Sequence, residues 1–160
     1  AGRLTRVYHQ LKGQWDGLER QEQFDSLRRL SFFHDFSQAE IREIMRASEW
    51  REYLGGDEIV REGAMDDRFY VVVAGRVAVE SNGRALGTLD EGDCFGEAGY
   101  LSGAKSTASI RAASAVTILS VSATLLEQAS SECQLRFNKV FLRSLIRRLQ
   151  GTGGAAGAAG

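Results

Sequence analysis

Beyond Trp50 the apolar residues of this chain stop recurring at helical spacing. They fall instead into short runs of period near two, each closed within a few residues by glycine. The runs are Glu58 to Arg61, Phe69 to Val73, Val77 to Val79, Ala85 to Leu89, Ala108 to Ala112 and Val116 to Val121. The joints are Gly55-Gly56, Gly63, Gly75, Ser81-Asn82-Gly83, Gly87 and Gly92. Asn82-Gly83 is the strongest hairpin signal, because both residues tolerate the positive φ of a two-residue turn. Many short strands without long intervening helices argue against a parallel sheet. The expected fold is mainly β, an antiparallel jelly-roll-like β-roll.

Helical patterns flank the roll. From Val7 to Leu30 strand formers are few, and Phe24, Leu27 and Leu30 supply an apolar stripe, although Gly13 and Gly17 weaken the first part. Ser37 with Glu40 makes a capping box, Phe36 with Ile41 a hydrophobic staple, and Ile41, Ile44 and Met45 the buried face of the helix that follows. After the roll, Ser122 is the expected N-cap of a further helix. Leu135, Phe137, Val140, Phe141, Leu142, Leu145, Ile146 and Leu149 form a broad stripe against a basic face of Arg136, Lys139, Arg143, Arg147 and Arg148. The chain divides into an N-terminal extension over 1–23, partly helical, a domain over 24–149 with its flanking helices, and a flexible Gly/Ala-rich tail over 150–160. The two ends are those expected of a piece cut from something larger.

Charge excludes little by magnitude but something by distribution. The formal net charge is -1, and from Glu52 to Lys105 eleven acids face five bases, so no global attraction to nucleic acid is expected. Cys94 and Cys133 are far apart, with no ligand-like spacing, and suit a reducing compartment. His9 and His34 stand alone, so no metal is expected. No apolar run reaches the ~20 residues needed to cross a bilayer, and no leading stretch reads as a signal peptide. Asp66-Asp67 and Asp90, Glu91 and Asp93 lie at turns and read as solvated acids rather than an acid and base pair.

Two motifs carry a resemblance. Gly56-Asp57-Glu58-Ile59-Val60-Arg61-Glu62-Gly63, followed by Asp67-Arg68-Phe69-Tyr70-Val71-Val72-Val73-Ala74-Gly75-Arg76-Val77, resembles the opening strands of the cyclic nucleotide-binding domain family. Phe95-Gly96-Glu97-Ala98-Gly99-Tyr100-Leu101, continuing to Ala112, is similar to that family's phosphate-binding cassette. Each motif is modest alone; their order and spacing together are specific. The resemblance implies a non-catalytic sensor of cAMP or cGMP, with no cofactor, whose occupancy moves helices against a fused or associated output protein. Glu97 would accept from the ribose hydroxyl, while Gly96 and Ala98 would shape the phosphate pocket.

The sequence departs from the family at Ser106, where the resemblance places a phosphate-binding arginine. A serine offers one neutral hydroxyl in place of a planar fork of charged donors, which weakens or alters binding. Lys105 is the adjacent cation and Thr107 a further phosphate contact, although neighbours on an extended segment face opposite ways. Three readings stay open: weak or altered cyclic nucleotide binding, another small ligand, or a degenerate pocket kept for dimerisation or protein interaction. The flanking helices are the expected homodimer surface. The chain reaches its tail soon after Leu149, so no helix-turn-helix and no direct nucleic-acid binding are expected. The resemblance implies a cytoplasmic setting, alone or as the cytoplasmic part of a membrane-associated protein.

Overall fold

Phe69 to Val73 are five consecutive buried side chains, where a strand with one wet face would alternate. Such a strand needs packing on both sides, and the layering of the molecule meets that need. The computed structural model describes residues 19–150. Its strands are β1 (Ser48–Tyr53), β2 (Glu58–Val60), β3 (Arg68–Ala74), β4 (Val77–Ser81), β5 (Arg84–Leu89), β6 (Cys94–Phe95), β7 (Ser109–Ala112) and β8 (Val116–Ser122). They form two four-stranded antiparallel sheets, of order β1-β8-β3-β6 and β2-β7-β4-β5, as expected for a jelly-roll-like β-roll.

Alternate residues of β3 serve two cores. Tyr70 and Val72 point into the roll, where they meet Val77, Val79, Phe95, Ile110 and Ile118. Phe69, Val71 and Val73 point outward and pack under the helices with Leu119 and Val121. Those helices are α1, covering residues 19–28 of the described chain, a short 3-10 turn at Ser31–Phe33, α2 (Gln38–Arg46), α3 (Glu97–Ser102) between β6 and β7, α4 (Ala123–Leu126) and α5 (Ser131–Gln150).

Local signals behave as their chemistry requires. Ser37 Oγ accepts from Glu40 N at 3.1 Å and Glu40 Oε1 accepts from Ser37 N at 2.8 Å, completing the capping box of α2. Asn82 and Gly83 turn β4 into β5 with φ of 54° and 75°. Ser122 caps α4 by accepting from Leu125 N at 3.2 Å.

Three features differ from expectation. Strand β1 was not anticipated: three of its six side chains, Glu49, Arg51 and Glu52, are charged, and its strand state comes from pairing with β8 at the edge of the sheet. Strand β6 is only two residues long and follows from its bridge to β3. The stripe on α5 splits, with Phe137, Val140 and Phe141 buried but Leu135 70%, Leu142 54% and Ile146 53% exposed. The expectations for His9 and the Gly/Ala tail, and the side chains of Arg148 and Leu149, lie outside what is described. Among the described residues no helix is long and apolar enough to cross a membrane. Cys94 and Cys133 are both buried and neither is in a disulfide.

Candidate ligand-binding site

Helix α3 is pressed against β3 and the turn before it, and two glycines make this approach available. Gly96 has φ of 89°, and a β-carbon there would stand 2.7 Å from the Arg68 carbonyl oxygen. At Gly99 it would stand 1.9 Å from the carbonyl oxygen of Asp66. Only a residue without a side chain fits either place. Glu97, the first residue of α3, is turned inward and only 4% exposed; Ala98 beside it is half-buried.

The segment after α3 is zipped to the β2–β3 loop. Ser106 N donates to Ala64 O at 2.9 Å, Gly63 N donates to Ser106 O at 2.8 Å, and Met65 bridges Lys105. This register decides which neighbour faces inward. Ser106 lines a cavity with Gly96, while Lys105 and Thr107 are exposed and lie outside its wall. Ser106 Oγ donates to Ala108 O at 2.6 Å. The Thr107 carbonyl accepts from Ser81 Oγ at 3.1 Å.

The remaining wall comes from Val60, Ala64, Asp66, Arg68, Tyr70, Phe95, Gly99, Ala104 and Ile110. The Tyr70 ring stacks on Phe95 at 4.9 Å, and its hydroxyl donates to the Asp66 carboxylate. Burial, with Asp66 adding to it, pushes the Tyr70 phenol well above its ordinary range. Asp66 also accepts from Arg68 N at 3.0 Å. The Arg68 guanidinium is engaged by Ser120 Oγ at 3.1 Å and by Glu49 at 3.6 Å. The cavity measures about 20 Å³, room for about one water.

Asp66 and Tyr70 were not singled out in the sequence as site residues. The available signal was a tyrosine inside an otherwise apolar run, since a buried phenol needs a polar partner.

The cassette is tied to the flanking helices through Tyr100. Its ring, on α3, lies 5.8 Å from that of Phe69 and 5.6 Å from those of Phe137 and Phe141 on α5. Burial pushes its phenol up to about 12. At the start of α5, Arg136 Nε donates to both Glu40 oxygens at 3.0 and 3.1 Å, and Ser130 N and Oγ each donate to Glu43 at 2.9 Å. The cassette, α2 and α5 thus share one contact network.

The profile of the cyclic nucleotide-binding domain family matches residues 50–133. The cGMP-dependent protein kinase of Toxoplasma gondii is 34% identical over 89 residues, 56% of this chain and 9% of that protein. The regulatory domain of Toxoplasma gondii PKA, solved with cAMP, superposes with a TM-score of 0.62 at 21% identity, covering 75% of this chain and 48% of that one. The sensor domain of the transcriptional regulator DNR from Pseudomonas aeruginosa gives 0.63 at 17% identity, covering 85% and 91%. At such identities the structural likeness speaks for the fold. The chain aligns with only a small part of the curated kinases it matches. A β-roll with an inserted helical cassette and packed flanking helices defines a non-catalytic regulatory module. The chain belongs to the cyclic nucleotide-binding domain family.

Proposed function

We propose that residues 24–149 form a ligand-sensing domain that takes a cyclic nucleotide, or a related small ligand, between the cassette and the roll. The observation that carries this reading is the convergence of Gly96 and Ser106 on one cavity wall with a buried Glu97 beside them. An ionised carboxylate is acceptor-only, and a ribose hydroxyl is a donor of the right kind. The relative solved with cAMP supports the ligand class. Gly96 and Ala98 shape the phosphate end, and Ser106 gives a weaker contact than a charged donor would. Lys105 and Thr107, exposed on the far side, contribute only if the segment rearranges. Occupancy is relayed through Tyr100 to α5 and from there to an output partner.

A second reading, a degenerate pocket serving dimerisation or protein interaction, is favoured by the small cavity and by the exposed Leu135, Leu142 and Ile146 on α5. Isothermal titration of nucleotide-stripped protein with cAMP and with cGMP separates the two. One saturable site per chain, lost in Glu97→Ala, supports the sensor. Absence of heat at millimolar ligand, with a concentration-dependent dimer, supports the scaffold.

A further inference from the structure

Between α1, α2 and β1 lies a groove of about 500 Å³ that shares no lining residue with the cassette cavity. That size falls within the range of small-molecule pockets. Its floor is apolar and aromatic, built from Phe24, Met45 and Trp50, and its rim carries Arg20, Arg42 and Arg46. No acidic side chain lines it among the described residues. Nor does any carboxylate among them lie within 4.0 Å of these three guanidinium groups, although eight other ion pairs form.

Arg42 and Arg46 stand four residues apart on α2, where like charges destabilise a helix. Glu43 of that helix, which attracts Arg46 from beyond 4.0 Å, is hydrogen-bonded to Ser130 and does not line the groove. The Arg42 guanidinium lies 4.6 Å over the Phe24 ring, so one rim cation is held in place above the aromatic floor.

We propose that this groove is a second ligand site, separate from the cassette, for a small amphiphilic anion. The aromatic or alkyl body would lie on Met45 and Trp50, and a carboxylate, sulfonate or phosphate would meet Arg42 and Arg46. Planar guanidinium forks suit such an oxyanion, and the apolar floor excludes a bare inorganic ion as the best fit.

The test is titration of the full chain with 2-naphthalenesulfonate, followed by ¹H–¹⁵N spectra, with and without saturating cAMP. The expected result is saturable shifts at the Trp50 indole N–H and at amides of α2 and β1, unchanged by cAMP. Binding should weaken about tenfold in Arg46→Gln and in Arg42→Gln, as for loss of a charge-assisted hydrogen bond. Both positions are exposed, so the variants should stay folded, with melting temperatures within a few degrees of the parent; Arg46→Lys should bind at an intermediate level. Equal affinity for uncharged 2-naphthylmethanol would overturn the proposal. So would absence of saturation at millimolar probe, or shifts centred on Gly96 to Thr107 and displaced by cAMP. Shifts of the same groove amides on raising protein concentration alone would assign the surface to a second copy of the chain instead.

Discussion

Ser106 Oγ donates to the carbonyl of Ala108 at 2.6 Å and lies 3.4 Å from the Ala108 N–H. The hydroxyl that lines the cavity is thus already committed to the backbone two residues on, a local bond of the kind serine makes readily. A ligand phosphate would have to compete with it. Lys105, the adjacent cation, is exposed and lies outside this wall, and Arg68, which does line it, is engaged by Ser120 and Glu49.

Replacing Ser106 by arginine should restore a charged fork at that wall. The affinity for cAMP or cGMP is expected to rise about tenfold or more, given the ~1.5–3 kcal/mol typical of charge-assisted hydrogen bonds. Titration calorimetry on Ser106→Arg and the parent chain provides the comparison, and equal affinities would remove Ser106 from the phosphate contacts.

Gly99→Ala would put a methyl group 1.9 Å from the Asp66 carbonyl oxygen, a contact no side-chain rotation relieves. A loss of ~1–3 kcal/mol is expected, as for overpacking, and the melting temperature should fall by roughly 3–10 °C. Gly55→Ala, whose nearest neighbour would be 3.8 Å away, is the control and should melt close to the parent.

Tyr100 is the aromatic contact between α3 and α5, so Tyr100→Leu should separate binding from relay. Calorimetry should still detect nucleotide. The nucleotide-induced change in amide exchange across α5 should shrink, and its persistence at parental size would place the relay elsewhere.

Glu40 ties pH to stability. Burial alone would raise its pKa, but the Ser37 backbone N–H and the Arg136 guanidinium more than offset that, and the net shift is downward from 4.5. A carboxylate depressed on folding stabilises the fold above its unfolded pKa, and the contribution is lost as pH falls through the lower folded value. Glu40→Gln should therefore cost ~1–2 kcal/mol near neutrality. The gap between variant and parent should narrow below pH 4.5. Urea melts at the two pH values measure it.

The capping box at Ser37 and Glu40, the Asn82-Gly83 hairpin and the Ser122 cap were legible because each is complete within four residues. Six of the eight strands were legible for a related reason, since each is a short apolar run closed by a turn residue within a few positions. Strand β1 was not, because Glu49, Arg51 and Glu52 mask the pattern and its partner β8 lies some 70 residues away in the chain. The cassette order from Phe95 to Ala112 located the candidate site, and Gly96, Glu97 and Ser106 occupy the inner face of that segment.

By itself, then, the chain of residues determined the roll, its helical flanks, its turns and the place of the cassette, since local backbone preference and periodicity act over a few residues. Tertiary structure alone decided that β3 is buried on both faces, that Ser106 faces inward and Lys105 outward, and that the Tyr70 hydroxyl and Asp66 meet in the wall of a cavity with room for about one water. These outcomes depend on the register between strands and on which surfaces the helices cover. A shift of one residue in pairing would reverse every inward and outward assignment, and no short stretch of sequence carries that information.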